Sequence, residues 1–425
     1  VNPASAVQAP SPNLTVRTLR TEDGHHLVLT DHRLGEPLNI PLQDPDVVRH
    51  CNARFARTVT RVQDMITDTG PLDPETAGRA LLELARAGRV FLTQILLRPR
   101  SHMHLITACL QAACPTWPVG RPVVPVMHVV AGPAEYLPWE LLPLFDPAWN
   151  GEVRDLVGLQ DACRAFPAFS MVVERRFPAG AEDDPCLDAS LGRLPTRFAW
   201  HSGYEGARAE LGFFRSQGSI MLEGPYPATK KEDDTGGHRP SFVEQLADPG
   251  LGVSGSRLPH ADQIVHLSCH CRSDQTAAGE HFEYHFAGED AQDVVVRLDD
   301  ILADLFPAWH QAAEAGAPTR PLVFLNACGT AVANPVLGVS LLTPFQLNEN
   351  RGVVASLANL PDRLAARFSG HFYRSLLAGA TAGEALHRAK WRLLEDFANP
   401  LGLLYTLHGS ARLHVSPVPA GNDEF

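Results

Sequence analysis

The chain has 425 residues, 44% hydrophobic and 20% charged, with 36 Lys+Arg against 48 Asp+Glu for a net charge of −12. That length exceeds one small core and points to two or three domains. The acidic balance argues against a nucleic-acid or anionic-membrane surface as the main partner, because phosphate binding needs a net basic face. No run approaches the ~20 apolar residues that a membrane helix requires. The opening VNPASAVQAPSPN lacks the basic and apolar regions of a signal peptide. The 8 cysteines are irregularly spaced, with no C-x-x-C pair, which fits a reducing cytoplasm better than a disulfide framework.

Residues 1–13 are rich in Pro, Ala and Ser and are expected to be disordered. From Leu14 to Leu42 the pattern alternates around Asp23-Gly24, a hairpin signal. Residues 45–114 carry a helical period, as in GRALLELARAGRVFLTQIL. RPVVPVMHVVA (121–131) reads as a buried strand, followed by AEYLPWELLPLF with Trp139 and the leucines packed inward. Residues 150–195 are less regular and include the acidic loop Ala181–Pro185. From Arg197 onward strands and helices alternate. RFAWHSG, SIMLEG, QIVHLSC, PLVFLNAC and GVVASLANL read as strands, and HFEYHF with VVVRL as a hairpin. ARAELGFFRSQ, PSFVEQLAD, DDILADLFPAWHQAAEAG, PDRLAARFSGHFYRSLLAGA and GEALHRAKWRLLEDF read as helices, and YTLHGSARLHV closes the pattern. This alternation predicts an α/β fold, a three-layer αβα domain with a mainly parallel sheet over 195–416.

Several motifs fall short of a site. GLGVSG (Gly250–Gly255) spells the dinucleotide fingerprint, but a helical segment precedes it and a Pro-containing turn follows, where a strand and a helix are needed. Cys269-His270-Cys271 with His281 and His285 nearby suggests a metal cluster, yet adjacent residues of an extended chain point to opposite faces and the spacing fits no zinc pattern. No metal and no cofactor is expected.

The chemistry concentrates at two strand ends. IVHLSCH ends at His270 and PLVFLNAC ends at Cys328, and the intervening hairpin and helix make the pair an extended βαβ crossover. Parallel strands so connected present their C-terminal ends on one sheet edge, where open α/β sheets carry active sites. Neighbouring strands lie ~4.8 Å apart. A histidine beside a cysteine lowers the thiol pKa or accepts its proton, the arrangement for nucleophilic catalysis. Gly329 gives the turn backbone freedom, so the Cys328 N–H can face a developing oxyanion. Taken singly, Cys328 also fits a buried structural thiol and His270 a hydrogen-bonded core histidine.

IVHLSCH, VFLNACGTA, the long segment from GVVASLANLPD to ALHRAK, and LLYTLHGSARLHV together resemble the CHAT-domain proteases, caspase-like cysteine peptidases related to separase; LPWELLPL (137–144) resembles their upstream block. The resemblance covers roughly 120–416. It implies that His270 is the general acid/base and Cys328 the nucleophile of a dyad, with the backbone N–H groups of Cys271 and Cys328 forming the oxyanion hole. Where the family usually has Gly after the histidine this chain has Cys271, and where it usually has Thr and Trp before the Pro-Asp this chain has ASLANLPD. Asp362 matches the position that in separase-like relatives receives a basic side chain before the scissile bond. Its sequence position equally fits the N-cap or first turn of a helix. Asp274 is a second candidate for the pocket, with a solvated loop as its other role, while Asp299 and Asp300 read as helix-terminal charges. The polar loop GPYPATKKEDDTGGHRP (224–240) carries Lys230 and Lys231, a possible self-processing site in an enzyme that cuts after basic residues.

The expectation is a cytoplasmic, caspase-like CHAT endopeptidase that acts on a protein substrate, probes no nucleic acid or membrane directly, and is switched on by a partner or upstream signal in bacterial stress or phage defence. Residues 14–190 are expected to form a supporting, pseudo-caspase-like helical or α/β module, 195–416 the protease domain, and 417–425 a flexible tail. The alternatives are a catalytically silent CHAT-derived interaction module and a cysteine-dependent acyl transferase or esterase on the same dyad.

Overall fold

The structure, a computed structural model, describes residues 13–33, 35–67, 70–114, 124–130, 136–176, 185–227, 240–276, 279–289, 293–314, 320–327 and 335–416. Cys328, Gly329, Lys230, Lys231, most of the loop 224–240 and of the acidic loop before Pro185, residues 1–12 and the tail 417–425 lie outside the described residues.

The first half begins with three antiparallel strands, β1 (Leu14–Thr21), β2 (Gly24–Asp31) and β3 (Pro37–Pro41), the first two joined at Asp23-Gly24 as the alternation predicts. Helices α1 (Pro45–Met65), α2 (Pro74–Ile95) and α3 (Pro99–Ala113) follow, each opened by a proline at its first position, where the missing N–H has no intrahelical partner to lose. Then come β4 (Val126–Val130), α4 (Leu156–Cys163), α5 (Pro167–Ser170) and β5 (Val172–Arg176).

The second half contains β6 (Cys186–Leu187), β7 (Leu194–Trp200), α6 (Glu205–Ser216), β8 (Ile220–Tyr226), α7 (Phe242–Ala247), β9 (Ile264–Thr276), β10 (Gly279–Ala287) and β11 (Asp293–Arg297). It continues with α8 (Leu298–Glu314), β12 (Leu322–Ala327), α9 (Pro335–Leu347), β13 (Gly352–Ser356), α10 (Asp362–Leu377), α11 (Ala382–Phe397), β14 (Tyr405–Gly409) and β15 (His414–Val415). Asp299 and Asp300 lie in the first turn of α8, where the positive end of the helix dipole favours acids. The glycine-rich stretch Gly250–Gly255 is a set of turns closed by Gly252 N–H donating to Ser256 O at 2.8 Å, between α7 and β9.

Among the described residues a 13-stranded sheet runs through both halves. Strands β8, β7, β9, β12 and β13 are parallel neighbours in that order. Beyond β13, β14 is antiparallel to it and parallel to β5, and β5, β4 and β1 continue in parallel. β14 thereby joins the two halves into one sheet. β6 and β15 form a separate two-stranded pair.

The strand period of two explains the layers. Phe198, Trp200, Ile264, Leu322, Phe324 and Val354 share a core with α6 and α10 residues such as Phe214, Phe368 and Phe372. The alternate positions Ala199, Val265, Leu267, Cys269, Val323, Leu325 and Val353 belong to a second core with Phe242 of α7, Ile301 of α8 and Phe345 of α9. Strands buried on both faces need helices on both faces, so the predicted three-layer αβα arrangement with a mainly parallel sheet is the one observed. Capping boxes fix two of the covering helices: Ser241 with Glu244 opens α7 and Thr381 with Glu384 opens α11.

Three features depart from the sequence expectation. β9 does not stop at His270 but runs on to Thr276, because the antiparallel strand β10 takes over its pairing from His270 onward. β5, a central strand, lies in the stretch read as less regular, and α9 lies in a segment assigned no helix.

Candidate active site

Parallel pairing of β9 with β12 runs from Ile264↔Leu322 to Cys269↔Ala327, and β7 pairs on the other edge up to Ser268↔Trp200. His270 is the next residue after Cys269 and Cys328 the next after Ala327. His270 therefore stands at the changeover where β9 leaves its parallel neighbours and pairs with β10, its register partner there being His285.

The surroundings of His270 are aromatic and imidazole. Tyr204, at the N-terminal end of α6, stacks on it with ring centres 5.9 Å apart and planes inclined by 29°. His285 meets it edge to face at 6.1 Å. His201, just past β7, lies 4.6 Å from the Tyr204 ring. Polar contacts hold this rim: His201 N–H donates to Ser268 O at 2.8 Å and Ser202 Oγ donates to Gly288 O at 2.5 Å. His285 Nε2 is 3.1 Å from Glu283 Oε2, and His201 Nε2 is 3.8 Å from Asp293 Oδ1. Burial pushes the His201 imidazole below the ordinary histidine value, with Asp293 pulling in the opposite direction, so this ring is a neutral neighbour near pH 7.

Cys271 points to the opposite face. Its side chain is buried in the core with Tyr284, its register partner on β10. The Cys271 side chain is thus absorbed by the core and does not crowd the His270 face. Four further thiols are poor nucleophile candidates: burial pushes Cys114 up to about 11 and raises Cys51, Cys109 and Cys163 as well, which holds them protonated.

Asp362 is the first residue of α10 and is half-buried. Its Oδ2 accepts the Gly206 N–H at 2.9 Å and its Oδ1 accepts the Arg363 N–H at 2.7 Å. The carboxylate thus serves an orphan donor in the first turn of α6, a helix whose own N-cap residue Tyr204 makes no side-chain cap. The helices come this close because residue 206 is glycine; a Cβ there would sit 2.2 Å from Asp362 O. Arg363 and Glu205 add an ion pair across the same junction. Tyr204, which touches His270, and Gly206, which touches Asp362, are two residues apart, so one short segment bridges the two candidate positions. For Asp274 only the backbone is described, as the register partner of His281.

Beneath the strand tips lies a buried polar cluster that the sequence pattern did not single out. Glu210 of α6, 2% exposed, accepts from Asn326 Nδ2 at 2.5 Å and from Ser369 Oγ, and lies 3.3 Å from His266 Nε2. Asn326 Oδ1 accepts from Tyr405 Oη at 2.6 Å, and His266 Nδ1 is 3.0 Å from Tyr373 Oη. Burial alone would raise the Glu210 carboxyl, but the His266 charge and hydrogen bonds from His266, Ser268 and Ser369 hold it below the ordinary carboxylate value. Asn326 and Ser268 are register partners, each two residues before a candidate catalytic position. No arrangement of three or more His, Cys, Asp or Glu side chains able to hold a metal occurs among the described residues, and none of the described helices is long and apolar enough to cross a membrane.

No curated protein matches the chain. Among solved structures it is similar to two crystal structures of the Saccharomyces cerevisiae separase–securin complex, at 3.0 and 2.6 Å resolution, each at 9% identity, with TM-scores of 0.41 and 0.38. The similarity covers 95% of this chain and 30% of the solved chain, so this chain spans less than a third of that protein's length. The segment from residue 253 to 402, which contains β9, β12 and the start of α10, matches the family model for the CHAT domain.

Proposed function

We propose that this chain is a caspase-like cysteine endopeptidase in which Cys328 is the nucleophile and His270 the general acid/base. One observation carries the reading: Cys269 and Ala327 are register partners on adjacent parallel strands, and the next residue in sequence after each is the candidate histidine or cysteine. The CHAT domain match over 253–402 supports it.

In the proposed reaction His270 accepts the Cys328 thiol proton while sulfur bonds to the scissile carbonyl carbon. The oxyanion faces the backbone N–H groups of Cys328 and Cys271; one such donor is worth ~3 kcal/mol in the transition state. The C–N bond then breaks and His270 returns the proton to the leaving amine; water attacks the thioester with His270 as base, the C–S bond breaks, and His270 returns that proton to the Cys328 sulfur.

Cleavage after a basic residue, with Asp362 receiving the cation, is the specificity we assign. Residues 195–416 are the catalytic unit in this proposal and 14–190 its support. A cytoplasmic setting, an activating partner and a role in bacterial stress or phage defence follow from the family resemblance alone. Processing at Lys230-Lys231 is a corollary, checked by intact mass of wild type beside Cys328→Ala; an identical unnicked chain in both removes it.

The test is a fluorogenic peptide panel varied at the residue before the cut, with His270→Ala and Cys328→Ala as controls. Turnover lost in both variants supports the dyad. No turnover by the wild type, with candidate activators included, assigns the chain to the silent interaction modules instead.

A further inference from the structure

We propose that Tyr204 is a positioning residue for His270, its ring covering one face of the imidazole to fix its orientation and favour the imidazolium form. The inference deepens the dyad reading and its catalytic meaning rests on that reading. The stack has ring centres 5.9 Å apart at 29°, within the ~6 Å at which an aromatic face attracts a cation. Tyr204 is itself held: it follows the turn in which Gly203 N–H meets His201 Nδ1 at 3.2 Å, its N–H donates to His201 O at 3.1 Å, and it leads into the α6 turn fastened to Asp362.

The imidazole must take up a proton during attack and release it to the leaving amine, so whatever favours the cation next to it shifts that balance. The charged and titratable groups around the site come from several elements. His201 stands near Asp293 of β11, and Arg272 of β9 acts on the same imidazole. His285 is paired with Glu283, which also holds Arg297. Asp362, Arg363 and Glu205 lie at the junction of α6 and α10. Glu283 and Asp293 are engaged by His285, Arg297 and His201, and the Tyr204 face is the aromatic surface stacked on His270.

The experiment compares Tyr204→Phe, which keeps the ring, with Tyr204→Leu, which keeps most of the volume without a π-face. The first readout is the His270 imidazole titration by NMR of histidine-labelled protein, assigned with His270→Gln and measured in a Cys328→Ala background so that the thiol does not intervene. Tyr204→Leu is expected to lower the midpoint by roughly half a pH unit, and Tyr204→Phe to leave it in place. The second readout is kcat/KM against pH in the Cys328-containing protein. There the acid limb moves to lower pH by the same amount in Tyr204→Leu, with about threefold more activity on that limb because His270 is the base there, and Tyr204→Phe follows wild type. Far-ultraviolet circular dichroism confirms that both variants fold; a purely packing role would make Leu and Phe behave alike. Equal midpoints in all three proteins overturn the inference and leave the dyad standing. A shifted midpoint in a protein whose wild type turns over no peptide overturns the dyad, and Tyr204's part in catalysis with it.

Discussion

The Asn326 amide donates to Glu210 Oε1 at 2.5 Å and accepts from the Tyr405 hydroxyl at 2.6 Å, so one side chain ties β12 to α6 and to β14 two residues before Cys328. All three groups are buried, and an unmade bond among them is not replaced by water. Asn326→Ala is expected to destabilise by about 1–3 kcal/mol, the cost of leaving buried partners unsatisfied. Asn326→Asp is expected to be worse near neutral pH, because a second carboxylate would face Glu210 without solvent, and to recover part of the loss below about pH 5 as one of the two protonates. Urea unfolding of both variants at pH 7 and pH 5 measures this. An aspartate variant as stable as wild type at pH 7 would show that the cluster tolerates two charges and does not act as a fixed hub.

Asp362 combines a structural task with a proposed recognition task, and substitutions separate them. Asn keeps an oxygen for the Gly206 N–H, whereas Ala leaves that donor without its partner. Asp362→Ala is therefore expected to lose about 1 kcal/mol of stability, typical of a lost helix cap, while Asp362→Asn loses little. If the carboxylate also receives a basic substrate side chain, both variants lose preference for Arg or Lys in the peptide panel. Preference retained in Asp362→Asn would confine the residue to holding α6.

Two buried histidines make stability depend on acid. Burial pushes His387 down to about 4 and His408 down to about 3 from the ordinary 6.5. The His387 ring donates to Phe169 O at 2.9 Å, a bond that favours the proton and only partly offsets the burial. Between pH 6.5 and these folded values the unfolded chain binds more protons, so stability is full above 6.5 and falls as pH drops through the window. Asp262 works oppositely. Burial raises it to about 6 from 3.8 despite Arg197 beside it, so its contribution is present at low pH and is lost as pH rises through 6. The two histidines outweigh the one carboxyl, and a net loss on the order of 3 kcal/mol is expected between pH 7 and pH 4. Unfolding midpoints across that range test it, with His387→Gln expected to flatten the acid side of the curve.

The layers and the strand pair were legible because IVHLSC and LVFLNA are the continuous apolar runs of strands buried on both faces, and chain order alone makes their neighbours parallel. α9 escaped because PVLGVSLLTPFQL is apolar on every side and carries Pro344 inside the helix, which erases the amphipathic period that marks a helix. β5 is five residues long, too short for a period to stand out. The continuation of β9 past His270 has no turn residue to announce it or stop it; the change is one of partner, from parallel β12 and β7 to antiparallel β10, which is a tertiary fact. The same holds around the candidate site. His270 and Cys328 are marked in the sequence by the apolar runs that precede them, whereas Tyr204, His285, Glu210 and Asn326 gain their meaning from helices and strands distant in sequence.

Lys390 is a lysine in the core, 2% exposed on α11, and its environment decides what replacing it does. Burial pulls its pKa down to about 8 from 10.5, with Glu140 opposing that pull and Arg175 adding to it. Glu140 is already committed: its Oε1 accepts Arg175 Nε at 2.7 Å, and Arg175 also donates to Leu137 O at 2.8 Å. Lys390 is thus a third, poorly compensated charge beside a satisfied pair. At pH 7 it is charged, and its depressed folded value corresponds to a penalty on the order of 3 kcal/mol relative to an unperturbed lysine. That penalty fades as pH rises from 8 toward 10.5, where the unfolded chain still binds the proton and the folded chain has released it. Lys390→Met, close in length and apolar, is expected to raise the melting temperature at pH 7 and to gain progressively less over wild type toward pH 10. Glu140→Ala is expected to do the reverse, costing about 3–5 kcal/mol by leaving Arg175 buried without its partner. A methionine variant that melts lower than wild type at pH 7 would mean that the Lys390 charge holds Glu140 and Arg175 in place.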